Sequence, residues 1–150
     1  MKTKLSLLSL AWVCSLLSCE STVNNPLTGT WVLQSGMVVR GNDTTFTDYT
    51  QDLRFIKIIN ATHFAFLKHD LNGGKDSTTA TYVAGGGTYQ LIDDQYTEHL
   101  EFLNYREWEG NDFEFTVSFV GDTMVQQGIE KIESLGIEQF NIEKYIRSVD

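Results

Sequence analysis

Tyr96-Thr97-Glu98-His99-Leu100-Glu101-Phe102-Leu103 alternates with a period of two, the repeat of an extended strand rather than a helix. Successive side chains on a strand point to opposite faces, so Tyr96, Glu98, Leu100 and Phe102 share one face and Thr97, His99, Glu101 and Leu103 the other. The first set holds more apolar surface. We expect it to face the interior and to carry Glu98 inward with it.

The same period recurs along the chain. Segments 31–39, 53–59, 63–68, 78–83, 88–92, 113–120, 124–129 and 139–147 are rich in β-branched or aromatic residues. Turn formers separate them: Gly41-Asn42-Asp43, Asn60-Ala61, Asn72-Gly73-Gly74, Asp93-Asp94, Gly110-Asn111-Asp112 and Gly121-Asp122. In 127–144 the spacing of Ile129, Ile132 and Leu135 admits one helical turn, but a strand, a bend at 134–136 and a last strand fit better. Short strands joined by hairpin-sized links predict an all-β antiparallel meander. At about eight to ten strands such a meander closes into an up-and-down barrel, which removes its exposed edges.

With 150 residues there is room for one domain, and 41% hydrophobic and 12% aromatic residues supply a core. The formal charge of −9 disfavours a nucleic-acid partner, because phosphate contacts need a basic face. Two cysteines make neither a disulfide framework nor a cysteine-rich zinc site.

The N-terminus reads as an address. Lys2 and Lys4 precede an apolar run from Leu5 to Leu17, shorter than the ~20 residues a spanning helix needs. Leu16-Leu17-Ser18-Cys19 resembles the bacterial lipobox, with Leu17 where that motif more often has a smaller or β-branched residue. The resemblance implies cleavage before Cys19 and its lipidation, with Cys14 discarded, and acyl chains contributing roughly 0.8 kcal/mol per buried CH₂. Residues 1–18 are then a lipoprotein signal peptide, the polar residues 19–26 a tether, and 27–150 the barrel. Loss of Lys2 and Lys4 leaves nine basic against twenty acidic residues, a charge of −11.

Gly29-Thr30-Trp31, opening the first strand, is similar to the Gly-x-Trp of lipocalin-like barrels. That resemblance implies that Gly29 and Trp31 close the barrel floor and that a late arginine, here Arg147, packs across the indole. A wider set of residues looks like an uncharacterised family of lipocalin-like lipoproteins from Gram-negative bacteria. It comprises Ile58-Ile59-Asn60 with His63-Phe64, Ala84 to Tyr89, Tyr96-Thr97-Glu98-His99 and Gly121-Asp122. It implies a small barrel, exported and anchored at the outer membrane or cell envelope, and no activity.

Glu98 is the most informative polar residue. A carboxylate inside a barrel needs hydrogen-bond partners or it goes neutral, so Glu98 would bind a ligand donor, act as an acid or base, or be satisfied by a neighbour. With Tyr96 on the same face it would hold a ligand with an apolar ring and a hydrogen-bond donor, and Glu98→Gln should weaken binding at little cost in stability. Tyr89 offers another aromatic surface. Arg106-Glu107-Trp108-Glu109 puts a tryptophan in a loop, which either covers the barrel mouth and contacts ligand or folds back onto the core. Other motifs fall away. The three histidines lack metal-ligand spacing, and Asp70 to Asp76 fails the EF-hand pattern at its sixth and twelfth positions. Gly85-Gly86-Gly87 opens a strand and not a helix, so it is read as a bend or bulge instead of a phosphate loop. No nucleophile triad is visible, and no metal or other cofactor is expected.

Three functions stay open. The leading one is a lipid-anchored barrel holding a small, partly apolar molecule, with Tyr89, Tyr96, Glu98, Arg106 and Trp108 as candidate contacts. The others are a barrel enzyme using Glu98 as acid or base, and a structural envelope lipoprotein with a filled barrel docking a protein. An open apolar lumen with convergent polar groups favours the first two; a filled lumen favours the third.

Overall fold

Nine strands follow one another along the chain: β1 Gly29–Arg40, β2 Asp43–Asp48, β3 Leu53–Ile59, β4 His63–Asp70, β5 Tyr82–Ile92, β6 Gln95–Leu103, β7 Asp112–Val120, β8 Thr123–Ile132 and β9 Ile137–Arg147. They belong to a computed structural model that describes residues 25–149. The segment read as a signal peptide (1–18), with Cys14, and the start of the tether with Cys19 lie outside the described residues. From β3 to β9 each strand pairs antiparallel with the next, and β9 pairs back onto β1. The result is a closed, eight-stranded up-and-down barrel. The ninth strand, β2, stands outside the ring: β1 gives residues 29–32 to β3 and residues 35–40 to β2.

Three differences from the expected strands have local causes. β2 (Asp-Thr-Thr-Phe-Thr-Asp) is polar and exposed along most of its length, so no apolar alternation marks it; its ladder with β1 holds it. The two strands expected at 78–83 and 88–92 are the single strand β5, and residues 71–81 form a loop. There the Asp70 carboxylate accepts the N–H groups of Gly74 (2.8 Å) and Thr81 (3.0 Å), and Asp76 accepts that of Thr78 (2.9 Å). Such local bonds compete with a sheet ladder for the same backbone groups.

The third difference moves side chains between faces. Gly87 pairs with Leu100 but Gly86 pairs with Phe102, leaving Glu101 as the extra residue of a β-bulge. A Cβ on Gly87 would collide with the His99 carbonyl oxygen, so the close approach needs glycine. Glu101 accepts the Thr88 N–H and hydroxyl at 3.1 and 2.9 Å, replacing the lost ladder bonds. Beyond the bulge the alternation inverts. Phe102, expected inside, is 65% exposed, and Leu103, expected outside, is 9% exposed.

The two ends of the barrel differ. At the floor Trp31 is fully buried and its Nε1–H donates to the Leu27 carbonyl at 2.7 Å. The Arg147 guanidinium lies 4.1 Å from the indole centroid and donates to the carbonyls of Thr28 (2.7 Å) and Pro26 (2.8 Å). Gly29 has φ of 140°, a backbone conformation that favours glycine, and a Cβ there would also press on Arg147 Nη1, 2.6 Å away. The other end, reached by the loops at 71–81, 104–111 and 133–136, is the mouth.

Candidate functional site

Alternation on β3 sends Phe55, Lys57 and Ile59 inward, and on β8 it sends Met124, Gln126 and Ile132 inward. Lys57 thus enters the barrel. Its ammonium donates to Glu98 Oε1 at 2.5 Å and to Gln126 Oε1 at 2.9 Å, and Lys57 and Glu98 are both buried. The rings of Phe64, Tyr96 and Tyr145 surround the same nitrogen, each with its centroid 5.6 Å away. A desolvated cation gains from ring faces as well as from its carboxylate.

Toward the mouth the lining turns acidic. Glu130 accepts from the Gln139 amide at 2.6 Å and the Asn141 amide at 3.2 Å, and Arg40 at the rim donates to the far end of Gln139. Burial pushes the Glu130 carboxyl above its ordinary range, the Glu143 and Glu98 charges add to that, and the two amide bonds offset part of it. Glu143 accepts from the Tyr145 hydroxyl at 2.7 Å. Burial, then the Glu143 charge, raise Tyr145, and burial, then the Glu98 charge, raise Tyr96. The Tyr96 hydroxyl is the buried side-chain polar atom left without a hydrogen-bond partner among the described residues.

Two adjoining spaces open between these groups. One, about 160 Å³, is walled by Phe55, Lys57, Phe66, Glu98, Phe115, Gln126, Glu130, Glu143 and Tyr145. The other, about 210 Å³, is walled by Phe66, Val83, Leu100, Leu103, Tyr105, Trp108 and Phe113, again with Glu98 and Glu130. They share Phe66, Glu98 and Glu130. The lumen therefore has an apolar side under the mouth and a polar side against β8 and β9.

The candidate contacts fall in different places. Glu98 lies on both cavities. Trp108, on a short 3₁₀ turn (Arg106–Trp108), is half-buried, packs on Phe113 with centroids 6.1 Å apart, and walls the mouth-side cavity. Arg106 does not join it: its side chain is 81% exposed and ion-paired to Glu109 at 2.6 Å, because the 3₁₀ turn points it away from the lumen. Tyr89 is buried toward the floor, where its hydroxyl donates to the Asn60 carbonyl and accepts from Asn25, both at 2.7 Å. Tyr96 packs beside Tyr89, with centroids 5.4 Å apart. Neither tyrosine walls the two cavities.

The sequence reading missed Lys57, Gln126, Glu130 and Glu143. The signal was present for Lys57. It shares a face with Leu53, Phe55 and Ile59, so the argument that placed Glu98 inside places Lys57 there too. The pairing also changes what Glu98→Gln should do: it would strip a buried ammonium of its counter-charge, so stability would not be spared.

No family model matches this chain, and neither does any curated protein. Among solved structures, a point mutant of the fluorescent protein UnaG aligns at a TM-score of 0.37 and 8% identity, over 83% of this chain and 97% of that one. The fold rests on the strand order itself.

Proposed function

We propose that this protein binds a small, partly apolar molecule in its lumen beneath the mouth, while lipid on Cys19 tethers it to the cell envelope. The observation that carries the binding reading is the two-sided cavity, with Trp108, Phe113 and Phe66 on one side and the carboxylates of Glu98 and Glu130 at its junction. A barrel filled with side chains, as a purely structural lipoprotein would need, leaves no such space. Its size suits a ligand of one or two rings, since cavities of ~150 Å³ hold benzene.

Indole is a suitable neutral probe. Calorimetric titration of the full chain should show saturable binding, and Trp108→Ala should weaken it about 5- to 20-fold, the worth of one aromatic contact plus its buried area. Absence of binding, or unchanged affinity in the variant, would remove the proposed site.

The anchor rests on Leu16-Leu17-Ser18-Cys19 and its likeness to a lipobox. Cys19→Ser should move the protein from the membrane pellet to a soluble exported fraction and abolish acyl labelling. A variant that stays in the pellet with its label intact sinks the lipoprotein reading.

A further inference from the structure

Resting on that reading of the lumen, we propose that the ligand is an organic cation, an apolar ring bearing an ammonium group, with Glu130 and Glu143 as its counter-charges. Four charged side chains wall the polar cavity: Lys57, Glu98, Glu130 and Glu143. Lys57 is already engaged, with Glu98 at 2.5 Å and Gln126 at 2.9 Å and aromatic rings around it. It has little to offer an incoming anion.

The two remaining carboxylates are held by neutral groups. Glu130 takes two amide N–H groups, and Glu143 takes one phenol. An ionised carboxylate has about four acceptor positions, so both keep lone pairs that these donors do not fill. Among the described residues neither has a cation within ion-pair distance. Of the cations nearest the rim, Arg40 spends its contact on Gln139, and Lys68 lies over the Tyr49 ring at 5.5 Å. Like charges facing one partly desolvated cavity oppose each other, and a cation between them relieves that repulsion. Burial first, and then the Glu143 and Glu98 charges, raise the Glu130 carboxyl, and a cation beside it would act in the opposite direction. Trp108 and Phe66, on the adjoining side, would receive the ring.

The test uses three probes on one ring system, titrated into the full chain at pH 7: indole, tryptamine and indole-3-propionate. Tryptamine carries an ammonium at that pH and the propionate a carboxylate. Tryptamine should bind about ten-fold tighter than indole and the propionate weaker than indole, as charge complementarity requires. In Glu130→Gln, with its fold checked by near-ultraviolet circular dichroism, the tryptamine-to-indole ratio should fall to about three or less, within one carboxylate's share of the attraction. Glu143→Gln gives a second reading of the same ratio. Equal or tighter binding of the propionate, or a ratio unmoved by both substitutions, overturns the cation assignment and leaves lumen binding standing. If none of the three binds, the lumen reading itself fails.

Discussion

Lys57→Met should cost the barrel about 3–5 kcal/mol, the usual penalty for leaving one member of a buried ion pair alone. Methionine is unbranched and only one heavy atom shorter, and it places a thioether among Phe64, Tyr96 and Tyr145, so packing is largely preserved. What disappears is the charge facing Glu98 and the donor to Gln126. Glu98 would then sit buried with no cation, and a bond from the nearby Tyr96 hydroxyl would offset only part of that loss. The companion experiment removes both charges. Lys57→Met with Glu98→Leu should recover most of the loss, because buried pairs replaced by apolar residues are often neutral or better. Recovery should stop short of complete, since Gln126 still loses its donor at about 1–3 kcal/mol. Urea denaturation of the two single variants and the double variant measures the coupling. Single variants within about 1 kcal/mol of the parent, or a double variant as unstable as the sum of both, would show that the pair is not the buried interaction its geometry describes.

The strand pattern was legible to the extent that burial was one-sided. β6 alternates cleanly from Tyr96 to Leu100, and the structure keeps Tyr96, Glu98 and Leu100 inside. It departs at Phe102 because the bulge depends on how closely Gly87 approaches the His99 carbonyl of the neighbouring strand. That is a tertiary distance, and the β6 segment alone carries no trace of it. The three glycines marked the irregular place; they did not tell which strand would hold the extra residue. β2 escaped notice for a different reason. A strand exposed on both faces has no hydrophobic period to read. The lumen polar groups lie between these cases. Glu98 was placed by alternation and Lys57 could have been. Glu130 and Glu143 meet because β8 and β9 pair, with Gln126 opposite Glu143 and Glu130 opposite Gln139. A pairing register joins residues that no motif spacing links. Arg106 and Trp108, two positions apart on one 3₁₀ turn, part company in the structure: the ring meets Phe113 and the guanidinium meets Glu109 in solvent.

Trp31→Ala should also cost about 3–5 kcal/mol, the range for removing a large aromatic side chain from a core. Three losses add at one place. The indole is fully buried and packs against Phe119, with centroids 6.0 Å apart, so its removal leaves a void at the end of the barrel. The Leu27 carbonyl loses the Nε1–H donor that satisfies it at 2.7 Å. Arg147 loses the ring beneath its guanidinium, a contact worth ~1 kcal/mol, although its bonds to Thr28 and Pro26 remain. Trp31→Phe separates these contributions, because it refills most of the void and keeps a ring under Arg147 while deleting the Nε1–H. It should cost less than the alanine variant by about 1–3 kcal/mol. The floor and the mouth lie at opposite ends, so the folded fraction of Trp31→Ala should still bind indole near Trp108, whereas Trp108→Ala should lose affinity with a smaller change in stability. Denaturation midpoints and calorimetry on the same samples distinguish the two tryptophans. If Trp31→Ala costs less than about 1 kcal/mol with the barrel still closed, the floor is held by something other than the indole, and the sandwich of Leu27, Trp31 and Arg147 is ornament to a fold that its strand ladders alone keep shut.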